Sequence, residues 1–209
     1  EYKSDLIGGF TFLKEEEGIR NIYTYMSITN GAANGLHLMV QAYFQTASFL
    51  TVTMLAFLRS AETVGRIIGG FVQYKVDVPP EKRYGITKFV YLFYETMDMI
   101  LLFIPYPFMI ANRFVCGFLG MTSATLRETS VQSYLPSNMR AKVNAVFNMF
   151  ISLSIIVFQI IAGYLGDRIG YRNTVVLITI FSLLSVFIFI VRPTEENRKV
   201  YEATRIKEI

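Results

Sequence analysis

Charges fall in clusters along this chain, and the stretches between them are long and apolar. Three runs contain no Asp, Glu, Lys or Arg: Asn21 to Leu58, Val143 to Gly166 and Thr174 to Val191, of 38, 24 and 18 residues. About 20 helical residues cross a hydrocarbon core of roughly 30 Å, so each run approaches or exceeds the length of a membrane helix. Reading the apolar blocks against turn signals predicts six such helices, at about 21–44, 49–74, 88–105, 108–133, 143–165 and 174–191. The breaks are Gln45 to Ser48, Val78-Pro79-Pro80, Pro105-Tyr106-Pro107, Pro136-Ser137-Asn138 and Gly166 to Asn173. In three of them proline removes a backbone donor and enforces a turn. The predicted fold class is therefore an all-α membrane protein, with six transmembrane helices in residues 21–191. Residues 1–20 form a cytoplasmic linker or a helix along the interface, and residues 192–209 a polar cytoplasmic tail.

Composition supports the membrane reading. The chain of 209 residues is 53% apolar and 15% aromatic but only 17% charged, and its mean hydropathy is +0.40. An ordinary water-soluble domain is more polar than this. The net charge of +4 follows from topology. Cytoplasmic connections collect Lys and Arg because these residues resist translocation. The side that carries both termini has 14 of them, among them Lys3, Lys14, Arg20, Lys75, Lys82, Arg83, Arg140 and Lys142; the other side has Arg168 and Arg172. Both termini are predicted to be cytoplasmic, in the plasma (cell inner) membrane. Nucleic acid is excluded as a partner, because the basic residues sit in short connections rather than on one soluble face. The sequence opens on Glu1, and we expect it to begin inside a longer gene product or after processing.

Little chemistry of the enzymatic kind is written here. A single cysteine, Cys116, and a single histidine, His37, exclude a disulfide framework and argue against a metal site. No G-x-S-x-G turn or H-E-x-x-H pair is present, so we expect neither an enzyme nor a cofactor. A channel fits poorly, because the interior charges are of mixed sign rather than one selectivity ring.

Self-comparison reveals an internal repeat. Ile67-Ile68-Gly69-Gly70-Phe71-Val72-Gln73-Tyr74-Lys75 closes the second predicted span, and Ile160-Ile161-Ala162-Gly163-Tyr164-Leu165-Gly166-Asp167-Arg168 closes the fifth. An odd number of spans separates the copies, so one faces the cytoplasm and the other the exterior. That is the arrangement of inverted three-helix repeats.

The second copy continues as Gly163-Tyr164-Leu165-Gly166-Asp167-Arg168-Ile169-Gly170-Tyr171-Arg172, which fits the pattern G-x-x-x-D-R-x-G-x-[RK] at every fixed position. The first copy keeps Gly70 but has Tyr74 for the aspartate, Lys75 for the arginine and an inserted Asp77-Val78-Pro79-Pro80-Glu81. The connection Leu135-Pro136-Ser137-Asn138-Met139-Arg140-Ala141-Lys142 is similar to P-x-x-x-R-[AG]-[KR]. In these turns the chain resembles the major facilitator superfamily, specifically the carboxy-terminal six-helix half of its drug and siderophore exporters. The resemblance implies half of a twelve-helix fold built as two inverted repeats. Its partners would be an N-terminal six-helix half of the same transporter, the lipid bilayer, a small-molecule substrate and H+. Gly70, Lys75, Arg140, Gly163, Asp167, Arg168 and Gly170 would then be conformational-loop residues. The function implied is secondary active transport by alternating access, of the proton-coupled efflux kind. The alternative is an isolated or self-pairing half with no transport of its own.

Charges deep in hydrocarbon cost at least about 2.5–3.5 kcal/mol each on insertion scales, so they are retained where they pair, line water or do work. Eight occur inside the predicted spans: Arg59, Glu62, Arg66, Glu95, Asp98, Arg113, Arg127 and Glu128. Arg59, Glu62 and Arg66 stack on one helix face. Asp98 and Arg113 lie at similar distances from the Pro105-Tyr106-Pro107 hairpin and should meet. Depth likewise pairs Arg59 or Arg66 with Glu95. Two readings stay open: ion pairs that fix helix packing, or a proton carried by Glu62, Glu95 or Asp98 with Arg59, Arg66 or Arg113 as charge partner. The first span also bears a polar stripe including Asn30, Asn34, His37 and Gln41, which wants water or another polar helix rather than lipid. In the resembled family the first helix of each repeat lines the cavity, so these four and Arg113 are substrate-cavity candidates. The fourth span presents Arg113, Gly117, Gly120, Ala124 and Arg127 on one face, while the sixth is expected to face lipid.

Overall fold

The structure is a computed structural model and describes residues 2–204. Among these residues eight helices follow one another: α1 (Tyr2–Glu15), α2 (Glu17–Thr46), α3 (Val52–Lys75), α4 (Pro80–Ile100), α5 (Tyr106–Tyr134), α6 (Arg140–Ile169), α7 (Tyr171–Ser185) and α8 (Thr194–Tyr201). A 3-10 turn, Leu101–Phe103, extends α4, and a π-helical stretch, Val186–Val191, extends α7. Residues 205–209 of the predicted tail lie outside the described residues.

Helices α2 to α7 occupy the six predicted segments. The largest boundary difference is in α4, which starts at Pro80 rather than near 88. Pro80 at its first turn is pre-organised for helix and needs no donor, and the charged turns that follow were too polar to look like a membrane span. By length and apolar content alone, two helices among the described residues suffice to cross a bilayer: Arg140–Ile169 and Tyr171–Val191. The others are diluted by polar residues, many of which the fold turns inward.

Packing is closest where side chains vanish. A Cβ added at Gly117 of α5 would lie 2.0 Å from the Glu62 carbonyl oxygen of α3, and one at Gly65 would lie 2.1 Å from that of Phe114. The two backbones therefore touch, as small residues allow in membrane helix pairs. On the other side of the bundle α2 runs along α6, while α2 also meets α7 and α5 also meets α4. Between α6 and α7 the chain turns at Gly170, whose φ of 81° is the only positive one among the described residues and suits a residue without Cβ.

Two apolar clusters close the bundle at its ends. At the end that carries the termini, Ile19, Ile22, Tyr25, Tyr84, Tyr91, Val131 and Val143 pack with Val186, Ile190, Val200 and Tyr201. At the opposite end Leu36, Phe44, Leu58, Leu101, Leu102, Met109 and Val175 form the second cluster. Within the segment read as a tail, α8 docks into the first cluster. Asn197 donates to the carbonyls of Phe189 (2.7 Å) and Ile190 (3.1 Å), and Ser130 donates to that of Tyr201 (2.8 Å). A π-helical stretch disturbs the usual carbonyl pairing, and Tyr84 supplies a further donor to Ile190. At the other terminus α1 packs along α6, with Phe10 and Phe150 edge to face at 5.7 Å.

Candidate functional site

Between the two apolar clusters lies a polar layer. Glu95 and Asp98 from α4, Asn112 and Arg113 from α5, and Thr179, Ser182 and Ser185 from α7 are all buried there. The predicted contact between Asp98 and Arg113 is present: Arg113 Nη2 donates to Asp98 Oδ1 at 2.5 Å, and both side chains are about 95% buried. Asn112 Oδ1 accepts from Arg113 Nε (3.0 Å) and Nη2 (2.8 Å), and its amide donates to the Met97 carbonyl (2.9 Å). The guanidinium is thus held in a hydrogen-bonded cage, the condition under which a buried ion pair is tolerated.

Glu95 is arranged differently. Its Oε1 accepts hydrogen bonds from Ser182 (2.6 Å), Thr29 (2.7 Å) and Tyr25 (3.4 Å). Only 3% of the residue is exposed, and among the described residues no Lys or Arg lies within ion-pair distance of it. The expected pairing of Glu95 with Arg59 or Arg66 is therefore corrected. Helix α3 packs along α5 rather than α4, so equal depth does not bring these groups together. Arg66 instead pairs with Glu62 one turn back on its own helix (2.6 Å), and Arg59 reaches the Gln41 side-chain oxygen on α2 (3.0 Å).

Two clefts open onto this layer. The first, of about 270 Å³, is lined by Tyr25, Thr29, Asn30, Arg66, Tyr94 and Arg127, among others. The second, of about 290 Å³, is lined by His37, Arg59, Glu62, Arg66 and Arg113. Arg66 borders both. Of the cavity candidates, Asn30, His37 and Arg113 line a cleft; Gln41 is exposed and occupied by Arg59; Asn34 donates to the Asn30 carbonyl and lies outside both clefts. The small-residue face of the fourth span divides: Gly120, Ala124 and Arg127 border the first cleft, but Gly117 is buried against α3.

The sixth span does not simply face lipid. Its hydroxyl side turns inward, with Thr174, Thr179, Ser182 and Ser185 all buried, and Ser182 reaching Glu95. Hydroxyls in a membrane helix seek another helix, and this was the signal available for finding Ser182. Tyr25 and Thr29 were harder to find, because the uncharged first span offered several polar residues on neighbouring faces.

The loop candidates spread over both ends. Arg140 donates to the carbonyls of Leu135 (3.2 Å) and Gln132 (2.6 Å), filling the otherwise open C-terminus of α5. Arg168 stacks 5.3 Å over Tyr164, while Asp167 is exposed. Gly163 has open space around it, Gly170 makes the α6–α7 turn, Gly70 sits against Met121, and Lys75 is exposed in the last turn of α3.

Residues 84–207 match the family model described as Major Facilitator Superfamily. No curated protein and no solved structure matches the chain.

Proposed function

The chain belongs to the major facilitator superfamily, a family of membrane transporters, and from that premise we propose that it moves a small solute by proton-coupled efflux through alternating access. The observation that carries the coupling is Glu95. Asp98 is locked to Arg113 and Glu62 to Arg66, whereas Glu95 is held by three neutral hydroxyls. Hydroxyls rotate, so they can donate to a carboxylate or accept from a carboxylic acid. Glu95 can therefore gain or lose a proton without breaking an ion pair, and Tyr25 and Thr29 connect it to the first cleft. In this reading Asp98 and Arg113 fix α4 to α5, and Glu62 and Arg66 border the solute path.

The chain acts as the carboxy-terminal half, built as two inverted repeats, α2–α4 and α5–α7. Reciprocal packing supports this: α3 lies on α5 as α2 lies on α6, and α4 meets α5 as α2 meets α7. The apolar faces of α3 and α6, with Phe57, Ile67, Phe71, Leu153, Ile156 and Ile160 exposed, suit an N-terminal six-helix half. Both termini are cytoplasmic, in the cell's inner membrane, by the lysine and arginine count.

The test is reconstitution of both halves in vesicles with an internal pH indicator and a panel of labelled organic solutes. Solute movement should drive proton movement in the opposite direction, and Glu95→Gln should abolish that coupling. Flux that ignores the pH gradient would overturn the proton assignment. Solute flux by the chain alone would overturn the need for a second half.

A further inference from the structure

Four arginines lie within α3 and α5; Arg113 and Arg127 are largely buried at their side chains, whereas Arg59 and Arg66 are exposed. Arg113 joins α5 to Asp98 on α4. Arg66, in contrast, is paired with Glu62 on its own helix, and Arg127 with the adjacent Glu128 (3.1 Å). An ion pair within one helix holds no neighbour in place; Arg127 also donates to the Met26 sulfur on α2 (3.3 Å), whereas Arg66 has no hydrogen bond to another helix among the described residues. Both arginines line the first cleft, and none of the residues lining that cleft is acidic. The second cleft shares Arg66 and adds Arg59 and Arg113 against the single carboxylate of Glu62. Arg59 has only the Gln41 oxygen for a partner among the described residues.

We propose that the first cleft binds an organic anion, its carboxylate, sulfonate or phosphate between Arg66 and Arg127 and its apolar body against Tyr25, Tyr91 and Tyr94. A guanidinium carries five N–H donors; one amino group of each arginine is occupied by its glutamate, and the other amino group of Arg127 also donates to the soft Met26 sulfur at 3.3 Å. The remaining donors match the planar or tetrahedral oxygens of such an anion. Glu128 is 55% exposed at its side chain, Arg127 only 12%, so water weakens the existing pair and an anion inside the cleft would meet the less solvated face. The tyrosine rings give flat apolar walls, and Met26 and Met121 adjoin them, a combination that accepts an aromatic body. A cationic solute would meet two guanidinium groups and no acidic residue in the lining of the cleft, since Glu62 and Glu128, which pair with them, lie outside it. The two clefts together fall within the roughly 300–1,000 Å³ usual for small-molecule sites.

This assignment rests on the transport reading for its purpose but is tested by binding at equilibrium. The full chain in lipid nanodiscs is titrated with naphthalene-2-sulfonate and, separately, with 2-naphthylmethylammonium, a similar body of opposite charge. The sulfonate should bind, and the ammonium should bind at least about tenfold more weakly. Arg66→Gln and Arg127→Gln should each weaken sulfonate binding about tenfold, as loss of charge-assisted hydrogen bonds does, with Arg127→Lys in between. Size-exclusion profiles establish that the variants fold; should they not, the comparison of the two probes on the unaltered chain decides. Lack of sulfonate binding, equal or tighter binding of the ammonium, or unchanged affinity in folded variants overturns the proposal. No gradient enters the titration, so anion binding without flux would defeat the transport reading and leave the ligand class standing.

Discussion

Thr29 on α2 and Ser182 on α7 donate to the same oxygen of Glu95, at 2.7 and 2.6 Å. Two helices from different halves of the sequence thus converge on one carboxylate of a third. Replacing Glu95 by Gln keeps the shape and an acceptor oxygen for these hydroxyls. We expect Glu95→Gln to fold normally, to exchange solute across vesicles at equal pH, and to lose accumulation driven by a pH gradient. Counterflow and gradient-driven uptake in the same vesicles measure the two separately; gradient-driven accumulation at the parental level would remove Glu95 from the coupling step.

Asp98 and Arg113 should behave as a structural pair. Asp98→Asn leaves a buried guanidinium without its counter-charge, for which about 3–5 kcal/mol of stability is the usual loss. The double change Asp98→Asn with Arg113→Gln removes both charges and should recover much of it. Thermal unfolding of the purified variants reads both, and equal losses in the single and double variants would contradict the pairing.

The α3–α5 crossing makes a sharp distinction between neighbouring glycines. At Gly117 a methyl group would strike the Glu62 carbonyl oxygen at 2.0 Å, whereas at Gly120 the nearest atom is the Tyr94 ring edge at 3.4 Å. Gly117→Ala should therefore cost about 1–3 kcal/mol, the usual penalty for overpacking. Gly120→Ala should lie close to the parent in a thermal melt.

Docking of α8 depends on Asn197, which is fully buried and serves the carbonyls of both Phe189 and Ile190. Asn197→Ala leaves these acceptors without that donor, at about 1–3 kcal/mol. Limited proteolysis at Arg198 and Lys199 should become faster in the variant while cleavage in the other connections stays as it was.

How much of this was legible in the sequence depended on which coordinate a residue pattern encodes. Helices α6 and α7 were plain, because unbroken apolar runs admit little else. The start of α4 was missed, since charged turns beyond the apolar section are helical without looking like a membrane span. Position along a helix follows from rise per residue, and the Pro105-Tyr106-Pro107 hairpin gave Asp98 and Arg113 a common origin, so their meeting could be predicted. Rotation between helices that are not joined by a tight turn has no such origin. That is why Glu95 was assigned to arginines on α3 when its partners are hydroxyls on α2 and α7. The inward turn of the sixth span was present in the spacing of Thr174, Ser182 and Ser185, but its high apolar content outweighed that signal.

The close approach of Gly117 to Glu62 also has a mechanical side. With no side chain between the two backbones, α3 cannot slide along α5 without collision, and the pair is geared as one rod. Arg66 is tied to Glu62 one turn away, on the wall between the two chambers. Any rocking of that rod carries the guanidinium with it, so the charge that borders both compartments travels with the framework rather than swinging free of it.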